Sequence, residues 1–182
     1  MPPSKSDIPI WIWAGAAALV LVALYSTWNA QRMQREIQAA NERAALILQQ
    51  RRELQAQLDA ERITAAILVD PASVKIVLAS PDPQAPQLEA KWHSQLGIVL
   101  TGQKIAAPSG NRVLQLWLIP KASGGKPVPS LTVRPDAEGK FVLLVSNPPG
   151  IMSQTKALAI TEEPVGGSAQ PTPPIRWVGG VS

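Results

Sequence analysis

The chain has 182 residues, a formal net charge of +4, 18 prolines, one histidine and no cysteine. Without cysteine there is no disulfide, thiolate nucleophile or cysteine-based zinc site, and the single His93 excludes a histidine metal triad or a histidine-to-histidine relay within one chain. Lys and Arg are scattered among Asp and Glu rather than gathered in a basic stripe with aromatics, which argues against a nucleic-acid partner.

No proline occurs between Pro9 and Pro71 and no glycine between Gly15 and Gly97, whereas both recur beyond. A breaker-free half before a breaker-rich half predicts a long helix followed by a β-rich domain. Ile8 to Trp28, IPIWIWAGAAALVLVALYSTW, carries no charge. At about 1.5 Å per residue it spans a hydrocarbon layer of about 30 Å and predicts a transmembrane helix over 8–28. Trp11 and Trp13 near one end, and Tyr25 and Trp28 near the other, fit the two headgroup levels where amphipathic rings settle. The run is too long for a signal-peptide core, and Tyr25-Ser-Thr-Trp28 is not a small-x-small cleavage site. A retained single-pass anchor in the lipid bilayer is expected. Arg32, Arg35 and Arg43 follow the span and only Lys5 precedes it, so the positive-inside rule alone would keep the C-terminal side in the cytoplasm.

Residues 29–68 are rich in strong helix formers. Alternating steps of four and three pick out Met33, Ile37, Ala40, Ala44, Ile47, Arg51, Leu54, Leu58, Glu61, Ala65 and Leu68, apolar except for Arg51 and Glu61. That repeat predicts a coiled-coil-like stalk. Its functional reading is a homo-oligomer through 33–68, a parallel dimer because every copy enters from one membrane. The plainer reading is a solvated spacer, or a helix that packs on its own globular domain.

From residue 69 to 182 short apolar runs alternate with turn residues. Val74–Leu78, Ala90–His93, Gly97–Thr101, Val113–Ile119, Leu131–Val133, Phe141–Val145, Ala157–Thr161 and Ile175–Val178 are candidate strands of a small β-sandwich, an all-β C-terminal domain. Val113–Ile119 is apolar on both faces and reads as a central strand with Trp117 in the core and Gln115 the odd polar member. Asp136-Ala-Glu-Gly139 reads as a hairpin connection before Phe141.

Chemistry is sparse in this inventory. Glu162 and Glu163 are adjacent, so on a strand they face opposite sides and cannot act as an acid/base pair. Glu163 is expected to accept backbone amides of the following turn, and Ser168 and Thr172 to cap turns. Ser123-Gly-Gly-Lys126 fails as a phosphate loop because Pro120 stands where the first glycine belongs. Gly166-Gly-Ser168 fails as a nucleophile elbow because Gln170 replaces the second glycine. No catalytic residue, cofactor or metal ligand is expected, and the chain reads as a non-enzyme.

One segment is specific enough to suggest a family. Thr161-x-Glu163-Pro164-x-Gly166-Gly167-Ser168-x-x-Pro171-Thr172 resembles the closing signature of the anti-sigma-K factor extracytoplasmic domain. Gln115-Leu116-Trp117-Leu118-Ile119 is similar to that family's Tyr-Gln-Leu-Trp-Leu strand, with Leu114 in place of Tyr. The resemblance implies a bacterial membrane-anchored regulator of transcription with its β-domain outside the cytoplasm and residues 1–7 as a short cytoplasmic tail. It implies a sigma factor or a separate sigma-binding chain as partner, since residues 1–7 carry neither Cys nor His for the family's zinc-associated head. The rival expectation is a non-enzymatic envelope scaffold that oligomerises through its stalk and binds a partner or wall component.

Overall fold

The computed structural model describes the backbone of residues 10–181, and side chains at 25, 26, 28, 29, 38 and from 41 to 181. The expected tail 1–7, the start of the apolar run, Trp11 and Trp13, and the seam members Met33, Ile37 and Ala40 therefore lie, wholly or in their side chains, outside the described residues. Among the described residues, no helix is long and apolar enough to cross a membrane.

One helix, α1, runs from Ile10 to Val69. Eight strands follow: β1 Val74–Leu78, β2 Leu88–His93, β3 Gly97–Gly102, β4 Arg112–Pro120, β5 Val128–Val133, β6 Phe141–Val145, β7 Thr155–Pro164 and β8 Trp177–Gly180. The chain divides into two compact units between Ala56 and Gln57. In the first, Ile47 and Leu54 of the seam are exposed. The second holds the last turns of α1 and every strand.

The strands form two antiparallel sheets, one ordered β1-β2-β3-β6 and the other β5-β4-β7-β8. Alternation decides which side chains meet between them. Ile76, Leu88, Trp92, Leu100 and Leu143 of the first sheet share one buried cluster with Leu114, Leu116, Leu118, Leu158 and Ile160 of the second. Each such side chain contributes about 1.5–3 kcal/mol by leaving water. The sheets are stitched along one side, where Ala79 and Val178 exchange backbone hydrogen bonds of 3.0 and 2.9 Å.

β4 lies between β5 and β7, so the strand that is apolar on both faces is central. The Asp136 turn forms as a turn, with Asp136 Oδ1 accepting the amides of Glu138 and Lys140 at 3.0 and 2.7 Å. It is not a hairpin connection, however, because β5 and β6 belong to different sheets. An aspartate-led turn reverses the chain without fixing which sheet receives it. β8 starts at Trp177, two residues later than expected, after the Pro173-Pro174 pair.

The helix ends against the first sheet. Asp70 Oδ1 accepts the Ala72 amide at 2.8 Å, and Pro71 cannot continue the helix. The Lys91 ammonium on β2 donates to the carbonyl of Leu68, one of the carbonyls a helix leaves without an internal partner. His93 Nε2 lies 3.5 Å from Asp70 Oδ2, while its Nδ1 accepts the amides of Gln95 and Leu96. The lone histidine is a satisfied strand-end residue.

Candidate functional site

The outer face of the second sheet explains why β4 is apolar on both sides. Leu114, Leu116 and Leu118 face the other sheet, so Val113, Gln115 and Trp117 face away. Trp117 is nonetheless fully buried, as are Thr161 and Glu163 on β7. Pairing sets Gln115 opposite Thr161 and Val113 opposite Glu163. The segment from Val165 to Arg176 returns over this face and covers it, and polar contacts fix it there.

Glu163 is the centre of those contacts. Its Oε1 accepts the Thr161 hydroxyl and, at 2.7 Å, the Thr172 amide. Its Oε2 accepts the hydroxyls of Ser168 and Thr172, each at 2.7 Å. Thr161 Oγ1 in turn accepts the Trp117 indole N–H at 2.8 Å, so the tryptophan, the strand and the loop are joined in one chain of bonds. Burial pushes the Glu163 carboxyl up, but the hydrogen bonds from Thr161, Thr172 and Ser168 outweigh it and hold the carboxyl below the ordinary glutamate range. Four donors converge on one buried carboxylate and all come from the chain itself. The arrangement fastens a loop.

A second fastening lies beside it. The Gln115 amide grips the backbone of Ser168, accepting its N–H at 2.7 Å and donating to its carbonyl at 3.1 Å. Chain reversal is made by Pro164, whose carbonyl accepts the Gly167 amide at 2.9 Å, with Gly166 and Gly167 both at positive φ. Pro171 is half-buried next to Lys126 and Pro127. On the opposite face of β7 from Glu163, Glu162 pairs with Leu114, and its half-buried carboxylate lies 3.5 Å from Arg176 Nε.

Gln115, Trp117, Thr161, Glu163, Ser168 and Thr172 are thus brought together, and Leu116 alone points into the sandwich core. Ser168 and Thr172 do not cap turns: their hydroxyls donate to Glu163. No local sequence pattern marks the Trp117–Thr161 bond or the Lys91 and His93 contacts at the helix end. The polar Gln115 inside an apolar strand was the one signal that a partner covers the outer face. In the first unit, Tyr25 and Trp28 are exposed, with ring centroids 6.3 Å apart. Among the described residues, no group of three or more His, Asp or Glu could hold a metal ion.

Neither a curated protein nor a solved structure matches the chain. The family described as "Anti-sigma-K factor rskA, C-terminal" matches residues 12–175, which takes in both the Gln115–Trp117 strand and the Thr161–Thr172 loop fastened above it. With that extent of agreement, the chain belongs to the anti-sigma-K factor C-terminal family, whose role is regulatory.

Proposed function

We propose that this chain is a membrane-anchored regulator of sigma-factor-dependent transcription in a bacterium. Residues 1–7 form a cytoplasmic tail, 8–28 a single span of the plasma membrane, 29–68 a stalk and 69–182 an extracytoplasmic β-domain. The observation that carries the reading is the family match, which begins inside the apolar run and ends inside the loop held by Glu163. Trp11, Trp13, Tyr25 and Trp28 are the interface anchors of the span, and the exposed, adjacent rings of Tyr25 and Trp28 support that role. The arginines after the span do not decide the orientation, because large domains are translocated largely regardless of charge.

The residues of the Gln115–Trp117 and Thr161–Thr172 motifs serve structure in this reading. They hold the outer domain in one shape so that a signal at its surface can alter a sigma factor, or a sigma-binding chain, across the membrane. The stalk pairs with a second copy, a reading supported by the exposure of Ile47, Leu54 and Leu58 along the seam.

Two experiments test this. Affinity capture of the full-length protein from its native membrane should recover a sigma factor or a sigma-binding polypeptide, and recovery of neither would favour an envelope scaffold instead. Protease added to intact spheroplasts should remove the β-domain, whereas full protection would place that domain in the cytoplasm.

A further inference from the structure

The last turns of α1 carry two stripes, and only one of them is used within the chain. Ile67 is fully buried and Ile63 and Thr64 are half-buried, a stripe at helical spacing that docks α1 on the outer face of the first sheet. That face also buries Val99, which points away from the sandwich core. The other stripe is the heptad seam. Leu58 remains 52 % exposed, Glu61 and Ala65 are exposed as well, and Leu68 is half-buried where the seam meets the domain. A helix that packed only on its own domain would turn its most regular apolar face inward, and this one does not.

Beside the open seam lies a groove. Ala60, Glu61, Thr64, Ala65 and Leu68 form one wall, in which the seam residues Glu61, Ala65 and Leu68 alternate with the docking stripe, and Val142 and Leu144 of β6 form the other. The outward positions of β2 in the same sheet are Glu89, Lys91 and His93, as expected of a solvated face. Those of β6 are Val142 and Leu144, with Val142 60 % exposed at the sheet edge. Apart from Glu61, apolar side chains therefore continue from the seam onto β6.

We infer that this groove seats the α1 helix of a second copy of the chain, so that the dimer interface runs off the stalk and onto the first sheet. The inference rests on the stalk pairing proposed above and extends it to Val142 and Leu144. A seam repeating by four and three residues is met in register by a helix with the same repeat. Copies anchored in one membrane run parallel, which sets equal-numbered seam residues face to face across a two-fold axis. Three residues of the groove wall, Glu61, Ala65 and Leu68, belong to that seam, so a partner helix following it reaches β6 at this point. Each helix then covers the β6 face of the other copy.

The absence of cysteine makes the test clean. Ala65→Cys in the full-length chain, oxidised in membranes, should give a disulfide-linked dimer. Adding Val142→Glu should weaken association of the full-length protein in detergent by roughly tenfold or more, because a charge would enter an apolar contact. Val77→Glu, at an exposed valine on β1 of the same sheet, should leave association unchanged. Near-UV circular dichroism should be the same for both glutamate variants, since both side chains start exposed. A cross-linked dimer indifferent to Val142→Glu would overturn the groove while leaving the paired stalk standing. Equal weakening by both glutamates would overturn it too, as a general effect of charge. No cross-link at all would remove the paired stalk and this inference together.

Discussion

Replacing Glu163 with alanine is expected to destabilise the β-domain by about 2–4 kcal/mol, since each buried donor left without a partner costs about 1–3 kcal/mol and the hydroxyls can partly re-pair. The change strands the amide of Thr172 and the hydroxyls of Thr161, Ser168 and Thr172 beneath a loop that no longer has an anchor. Glu163→Gln should lose much less. Its carbonyl can take the place of Oε1 and accept from Thr161 and Thr172, while its amide donates to hydroxyls that are free to reverse. The two variants also separate through pH. The folded carboxyl titrates below its unfolded value of about 4.3. Its contribution is therefore fully present above that pH and is lost as pH falls through the lower folded value. Wild type should lose stability on acidification through this window, and Glu163→Gln should lack that share of the slope. Denaturation midpoints followed by near-UV ellipticity between about pH 3 and 7 would decide it. Parallel slopes for wild type and Glu163→Gln would show that the carboxylate is not the anchor.

The second large effect is expected at Gly167. Its φ is +78°, and a Cβ there would stand 2.8 Å from Gln115 Oε1 and 3.3 Å from Thr132 Cγ2. Gly167→Val therefore meets left-handed backbone strain of about 1–2 kcal/mol. It also displaces the Gln115 amide that grips Ser168, which adds about 1–3 kcal/mol for polar groups left unpaired. Gly166 is the internal control. Its φ is +98°, but nothing lies within 4 Å of the added carbon, so Gly166→Val should show the backbone strain alone. Thermal unfolding of the pair should place Gly167→Val clearly lower. The reverse order would mean that the loop does not seat against Gln115.

Much of the fold was legible because turn residues punctuate the strands. Runs such as Val113–Ile119 and Phe141–Val145 are bounded by Gly, Pro, Asn or Asp, and the strands form there. What covers them was less legible. Trp117 and Thr161 are 44 positions apart in sequence, and only the register of β4 against β7 makes them partners. Glu163 could be recognised as a turn-bracing residue, but its hydroxyl donors could not, since they arrive from a loop whose path no local pattern fixes. The Asp136 turn shows the same limit: its residues specify reversal and not destination. In α1 two stripes overlap on one helix. The heptad steps pick out Ala65 and Leu68, while Ile63 and Ile67, one helical turn apart and off the seam, do the docking. Apolar spacing marks the faces available, and tertiary contact selects among them.

The junction between α1 and β1 is short and internally hydrogen-bonded. Only Asp70 to Ser73 separate the last helical residue from the first strand residue, and Lys91 ties the carbonyl of Leu68 directly to the neighbouring strand. Residues 57–69 are therefore coupled to β2 through the Lys91 hydrogen bond and the His93–Asp70 contact, and to β1 through a short turn braced by Asp70. Within this unit, displacing the helix end and distorting the first sheet are one mechanical event.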